Sequence, residues 1–249
     1  MKRFLFICSA LSLLIACSDN TEDTASSLPD GLDNSEDIAP SMPDGAVDLG
    51  LSVYWAKQNI EAGQPEEYGA YYAWGEVETK EDYSWTSYKW SEGNQWLLTK
   101  YVPFSKPGFC LLGSGTPDDK TSLDTEDDIA HVALGDKWRI PSHDEWEELK
   151  DSCVWTWSTQ NGINGCKVTG PNGNSIFLPA SGGYWDIPEI HNENRCGYYW
   201  SSSLYVEEPP SAWLAYFHML DAYDQLTLVI TMTKADRASG YSIRPVSPK

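Results

Sequence analysis

The sequence predicts an α+β domain with few helices, many short strands and long irregular loops. Three observations carry that reading. Short runs of alternating apolar and polar residues recur along the chain, bounded by Asn-Gly, Pro and Ser clusters. One helix start is strongly marked, at Ser142. Between Glu76 and Asp136 neither helical nor strand periodicity is sustained, so that stretch reads mostly as long loops.

Taken in order, Val47 to Leu51 and Val53 to Ile60 read as short β segments. Tyr68 to Trp74 alternates small and aromatic residues, as a packed strand does. Asp127-Asp128-Ile129-Ala130 opens a short helix, with carboxylates at its positive end. Trp138-Arg139-Ile140-Pro141 then leads into Ser142-His143-Asp144-Glu145. There Ser142 can cap the first-turn amides while Glu145 reaches back, which is a capping box. Trp146, Leu149 and Cys153 make one apolar face, giving a helix from His143 to Ser152. A meander follows: Val154 to Ser158, the turn signals Asn161-Gly162 and Asn164-Gly165, then Cys166 to Thr169 against Ser175 to Leu178. Later strands are expected at Tyr198 to Ser202, Trp213 to His218, Leu226 to Met232 and Tyr241 to Val246.

The N-terminus points to export. Lys2 and Arg3 precede an apolar run from Phe4 to Ile15. That run is shorter than the roughly 20 residues of a membrane-spanning helix, and it fits a signal peptide. It ends in Leu14-Ile15-Ala16-Cys17, which resembles the lipobox of bacterial lipoproteins. The resemblance implies cleavage after residue 16, lipidation of Cys17 and a membrane-tethered mature protein. Residues 17–45 lack Lys and Arg, are rich in Ser, Thr, Pro and Asp, and read as an acidic disordered tether before a folded domain at 46–249. The acidic residues just after Cys17 resemble the surface-export signal of Bacteroidetes lipoproteins. That implies the outer membrane, facing the cell exterior.

The net charge is −20, and the part after Cys17 is more acidic still, since Lys2 and Arg3 precede it and no acidic residue does. This argues against nucleic-acid binding and against docking on anionic lipid. Cys8 leaves with the signal, so Cys110, Cys153, Cys166 and Cys196 remain to form disulfides, with three complete pairings open. No zinc-type spacing of Cys and His occurs, and His131, His143, His191 and His218 form no metal or nucleophile motif. With 37 acidic residues, carboxylate pairs are too common to single out a glycosidase dyad. No catalytic residue is assigned.

Two sets of candidate site residues remain. Asp118, Asp119, Asp124, Glu126, Asp127 and Asp128 form the densest acidic run. Of these, Asp124, Glu126, Asp127 and Asp128 are the candidate ligands for calcium, which takes oxygen donors. The competing account of Asp127 and Asp128 is helix capping, and EF-hand spacing is missing. Tyr83, Trp85, Tyr88, Trp90, Trp96 and Tyr101 interleave with polar residues in a long loop, and Trp185 sits in a Gly-rich one. Trp85, Tyr88, Trp90, Trp96 and Trp185 are the candidate ligand platform, the alternative being that they fold back onto the core. Arg139 and Arg244 are assigned structural roles with Ser142 and Glu145, each guanidinium held by a carboxylate or by carbonyls.

Six segments carry a family resemblance. They are Val47 to Ala56, Tyr68 to Glu76, Trp138 to Ser142, Asn174 to Ala180, Tyr199 to Ser203 and Ser242 to Val246. Their order and wording resemble the Fibrobacter succinogenes major paralogous domain, over nearly all of Val47 to Val246. The resemblance implies a C-type lectin-like fold, two short helices with an antiparallel meander and long loops. That fold is shared with the formylglycine-generating group, in which a helix start like Arg139 to Trp146 and a late strand like that of Arg244 recur. Two departures stand out. Gln64-Pro65-Glu66 imitates a lectin calcium triplet but lies too early, with no Trp-Asn-Asp, and no cysteine follows Cys196. The expected function is non-enzymatic binding of a glycan or protein. An enzyme related to the formylglycine-generating group or to glycan hydrolases is the first alternative, and a structural part of a surface assembly the second. No cofactor is expected other than calcium.

Overall fold

A strand near the start of the domain pairs with the last one in the chain, and that closure organises the fold. The computed structural model describes residues 42–185, 187–222 and 225–249. The expected signal peptide, Cys17 and most of the tether lie outside the described residues. Within them, β1 (Ala46–Asp48) and β2 (Val53–Ala56) form an antiparallel hairpin. The chain continues through β3 (Tyr71–Tyr72), two 3-10 turns (Pro107–Phe109 and Thr125–Asp127), α1 (Ile129–Leu134) and α2 (His143–Ser152). A meander of β4 (Val154–Gln160), β5 (Ile163–Thr169) and β6 (Ser175–Pro179) follows. Next come the short hairpin β7 (Gly183–Trp185) and β8 (Ile187–His191), then β9 (Cys196–Leu204), β10 (Ser211–Ala222) and β11 (Gln225–Asp236). The chain closes with β12 (Tyr241–Ser242) and β13 (Val246–Pro248), and β13 pairs with β2. The α+β class expected from the sequence is therefore observed, with β-structure dominant.

Local chemistry explains the elements that were most strongly signalled. Asn161 and Gly162 both have positive φ, 50° and 88°, and Gln160 faces Ile163 across them. That is the two-residue turn whose twist suits a hairpin. Helix α2 begins at the expected capping box: Ser142 Oγ accepts from Glu145 N, and the Glu145 carboxylate accepts from Ser142 N at 2.8 Å. Arg139 adds a two-pronged ion pair to the same carboxylate, Nη1 to Oε2 at 2.7 Å and Nη2 to Oε1. Asp128 caps α1, accepting from Ala130 N and His131 N.

Four expected strands are shorter than the sequence suggested, Val47 to Leu51 stopping at Asp48 and Val53 to Ile60 at Ala56. In Tyr68 to Trp74 only Tyr71 and Tyr72 join a ladder, because Ala70 N donates to Ile60 O and Trp74 N to Arg237 O. Tyr241 to Val246 splits in two, since the chain leaves one sheet for another between Ser242 and Val246. Trp185, expected in a Gly-rich loop, lies instead in the β7–β8 hairpin.

The central sheet runs β11-β10-β9-β12-β3, antiparallel except for the β12–β9 pairing. Both faces are covered. Alternation along β9 and β10 sends Tyr199, Ala215 and Phe217 to one side, with Trp55, Trp146, Leu149, Val168 and Leu178. Trp200, Ala212 and Leu214 go to the other, with Trp74, Tyr101, Ile129, Ile140 and Tyr241. Each buried Leu, Ile, Val or Phe among them contributes roughly 1.5–3 kcal/mol by leaving water. Buried indoles need an acceptor: Trp74 Nε1 donates to Ser201 O at 2.8 Å and Trp200 Nε1 to Tyr72 O at 2.9 Å. Trp55 Nε1 is buried without a partner among the described residues.

Arg244 is fully buried and has no carboxylate. Its Nε donates to Asn59 Oδ1 at 2.8 Å, Nη1 to the carbonyls of Ala56 and Lys57 at 3.1 and 2.7 Å, and Nη2 to Phe177 O at 2.9 Å. Burial lowers its pKa to about 10, which still leaves it charged at neutral pH. The expectation of a structural guanidinium held by carbonyls is met here, and by a carboxylate at Arg139. The four cysteines expected to be available for pairing, Cys110, Cys153, Cys166 and Cys196, are unbridged thiols. Burial pushes Cys166 up to about 12.

Two measurements test these roles. Arg244→Lys should cost more than about 3 kcal/mol, since an ammonium cannot serve four divergent acceptors and each orphaned group costs about 1–3 kcal/mol; an unchanged denaturation midpoint would refute it. Burial raises the Glu145 carboxyl, but Arg139 and the Ser142 amide pull it to a net value below its ordinary one. Its contribution is complete above the unfolded pKa, about 4.3, and is lost as pH falls through the lower folded value. Melting curves between about pH 7 and pH 2 should therefore show a steeper acid limb for wild type than for Glu145→Gln. Parallel limbs would mean the ion pair adds nothing.

Candidate binding cleft

The turn after β11 and the strand β7 build the most chemically distinctive cavity. Tyr184 and Gly240 exchange both backbone hydrogen bonds, at 2.9 and 2.8 Å, which lays β7 against the segment preceding β12. Two glycines make room for the walls. A Cβ at Gly240 would lie 2.5 Å from the Tyr83 ring, and one at Gly183 would lie 2.4 Å from the Tyr241 ring. Tyr83 is held there by its hydroxyl, which donates to Tyr71 O at 2.5 Å, and by stacking on Tyr184 at 5.3 Å.

The result is a cleft of about 300 Å³ lined by Tyr83, Ser84, Trp85, Trp185, Asp236, Ala238, Ser239 and Tyr241. Trp185 stacks on His191 at 4.4 Å and meets the edge of Tyr198 at 5.5 Å. Trp85 meets Tyr88 edge-on at 5.5 Å. A second cavity of about 420 Å³ shares Tyr83 and is walled by Tyr71 and Tyr184.

Arg237, between the lining residues Asp236 and Ala238, is itself fully buried. Its Nε donates to Tyr88 Oη at 2.9 Å, Nη1 to Pro209 O at 3.1 Å and Nη2 to Lys100 O at 3.1 Å. The rings of Trp74, Tyr88 and Tyr101 surround the guanidinium, with centroids 4.9, 5.3 and 5.6 Å away. A cation so enclosed fixes the turn from which Asp236 and Ser239 reach the cleft.

No family model, curated protein or solved structure matches this chain. The site is therefore read from its geometry.

Of the five expected platform residues, Trp85 and Trp185 meet at the cleft and three do not. Tyr88 is interior, only 2 % exposed, and its hydroxyl donates to Trp74 O at 2.7 Å. Its partner Arg237, far along the chain, draws it inward and corrects the expectation of a surface ring. Trp90 is half-buried, its Nε1 donating to Gly75 O at 2.7 Å, with the Lys89 and Lys100 ammonium groups over its ring. Trp96 is 50 % exposed but lies against Phe109 at 4.9 Å, away from the cleft.

The four carboxylates expected as calcium ligands have contacts of their own. Asp124 pairs with Lys100 at 2.6 Å and with Lys120, and Asp127 pairs with Lys100 at 2.6 Å and accepts from Tyr101 Oη at 2.5 Å. Asp128 is spent on three amides, those of Ala130, His131 and Ile140. Glu126 is mostly exposed and lies 3.7 Å from the Lys100 ammonium. Burial pushes Asp124 up, and the two lysines more than offset it, leaving it below the usual carboxylate range. No metal-holding group of His, Cys, Asp and Glu occurs among the described residues. Glu66, from the triplet resembling a lectin motif, accepts from Gln160 Nε2 and Asn161 Nδ2.

Sequence reasoning did not single out Tyr241, Ser84, Asp236, Ser239 or Arg237 for the cleft. The available signal was the Asp236-Arg237-Ala238-Ser239-Gly240 run, whose Ser-Gly composition marks a turn between strands.

Stability separates the interior aromatics from the exposed ones. Tyr88→Ala should cost about 3–5 kcal/mol as a core truncation that also orphans Arg237. Trp96→Ala should cost less than about 1.5 kcal/mol, the scale of one exposed stacking contact. Thermal melts of the two variants check the ordering, and equal losses would contradict it.

Proposed function

We propose that this chain is a lipid-anchored surface protein whose domain binds a neutral glycan, without chemistry, in the cleft between Trp85 and Trp185. The observation that carries the reading is the convergence of two tryptophans from distant parts of the chain on one cleft that also holds two serines and a carboxylate. Sugar rings present C–H faces to aromatic side chains and hydroxyls to polar groups, and this lining supplies both. Ser84, Ser239 and Asp236 put oxygen atoms on the cleft wall, where sugar hydroxyls can meet them. Asp236 is the only carboxylate lining the cleft among the described residues, whereas glycoside hydrolysis generally uses two.

The sequence motifs shared with the Fibrobacter succinogenes major paralogous domain support a C-type lectin-like architecture, with which the meander and the capped α2 are consistent. The lipobox ending in Cys17 and the acidic residues after it support anchoring at the outer face of the outer membrane. Among the described residues no helix is long and apolar enough to cross a membrane.

The test uses the full-length chain with a panel of neutral oligosaccharides (gluco-, xylo- and mannohexaoses). Binding is expected to at least one, and Trp85→Ala or Trp185→Ala should weaken it about fivefold to tenfold, one lost stacking contact being worth about 1–1.5 kcal/mol. Their melting temperatures should fall less than that of Tyr88→Ala. Absence of binding across the panel, or binding indifferent to both tryptophans, would overturn the reading.

A further inference from the structure

The most acidic feature of this molecule is its composition, which makes one locally basic cleft informative. The chain has 37 acidic and 17 basic residues. Its lysines are correspondingly spoken for: Lys80, Lys89, Lys100, Lys106, Lys120, Lys150, Lys234 and Lys249 each pair with a carboxylate. Among the described residues, Lys57, Lys137 and Lys167 make no ion pair. Two of those three, Lys57 and Lys167, line the same cleft, a cavity of about 500 Å³. Despite the excess of acids, no Asp or Glu lines it.

Both cations stand on fixed backbone. Lys167 lies mid-strand in β5, opposite Thr156 on β4 and Phe177 on β6. Its neighbours Cys166 and Val168 face the core, so alternation turns Lys167 outward. Lys57 donates its backbone N–H to Gly45 O at 2.8 Å and accepts from Arg244 Nη1 at 2.7 Å. Glu66, the nearest acid in sequence to the lining residue Pro65, is engaged by the amides of Gln160 and Asn161. Ser158 and Ser175 add hydroxyls to the wall, and Phe177 adds an apolar surface.

We propose that this cleft is a second binding site, for an acidic saccharide whose oxyanion, a carboxylate or a sulfate ester, is held between Lys57 and Lys167. Two ammonium groups with no internal partner suit an oxyanion, and the serines suit ring hydroxyls. The volume falls in the range of small-ligand sites. The site is separate from the aromatic cleft, sharing no lining residue with it. The two clefts therefore differ in lining, aromatic in one and lysine-bearing in the other.

The experiment is calorimetric titration of the full-length chain with trigalacturonate, a sulfated chondroitin tetrasaccharide, neutral trigalactose and a short polyglutamate peptide. At least one acidic saccharide is expected to bind, trigalactose and the peptide not. Binding should weaken several-fold when salt is raised from about 0.02 M to 0.5 M, as charge attraction is screened. Lys57→Ala and Lys167→Ala should each weaken it at least about fivefold, while leaving the melting temperature unchanged because both side chains are exposed. Trp85→Ala and Trp185→Ala should leave this binding intact, which separates the site from the aromatic cleft. Binding of either acidic saccharide, or of both, supports the proposal, and binding of trigalacturonate shows that a carboxylate suffices. It is overturned by no acidic-saccharide binding, by equal binding of trigalactose, by binding of the peptide in their place, or by lysine variants that bind as wild type.

Discussion

A buried guanidinium without a carboxylate must find its acceptors among carbonyls, and that requirement fixes more of this molecule than any other contact. Arg244 and Arg237 are both fully buried. Each can donate five hydrogens in a planar fork, and each unserved donor would cost free energy in the interior. Arg244 therefore holds Ala56, Lys57, Asn59 and Phe177 at set positions around it. Arg237 does the same for Tyr88, Lys100 and Pro209. Segments with no regular secondary structure are positioned by these two side chains as firmly as strands are by ladders.

The cleft follows from this arrangement and from a sheet covered on both faces. Because β9 and β10 send large aromatics to both sides, neighbouring elements must approach closely, and the approach is possible only where side chains are absent. Gly183 and Gly240 are such places, each facing a tyrosine ring within van der Waals distance of where a Cβ would stand. Tyr83 and Tyr241 then become walls of the cleft as well as parts of the core. The same rings that bury apolar area also shape the candidate site, so the site inherits the rigidity of the interior.

What was legible in the sequence was local. The capping box at Ser142 and Glu145, the Asn161-Gly162 turn and the extent of α2 depend on residues within a few positions of one another, and the structure has them as expected. Trp85 and Trp185 were picked out by type, but their meeting was not legible, since it depends on the β7 pairing with the chain around Gly240. Tyr88 was misplaced for the same reason: its neighbours in sequence are polar, and Arg237, the partner that draws it inward, is 149 positions away. The acidic run looked like a metal site because Lys89 and Lys100, which neutralise it, arrive from an earlier loop. Arg237 has its acceptors mostly on backbone carbonyls, and residue type carries no record of those.

The pairing of β2 with β13 has a consequence for how the chain acquires its structure. Arg244 bonds to acceptors 185 to 188 positions earlier in the sequence, and β13 completes the sheet begun by β1 and β2. Closing so long a loop costs entropy that no nearby contact offsets in advance, and folds dominated by such distant pairings form slowly. Until the final strand emerges, β2 has one edge open and the acceptors around Asn59 lack their donor. The domain thus stays open along one edge of β2 until β13 is in place.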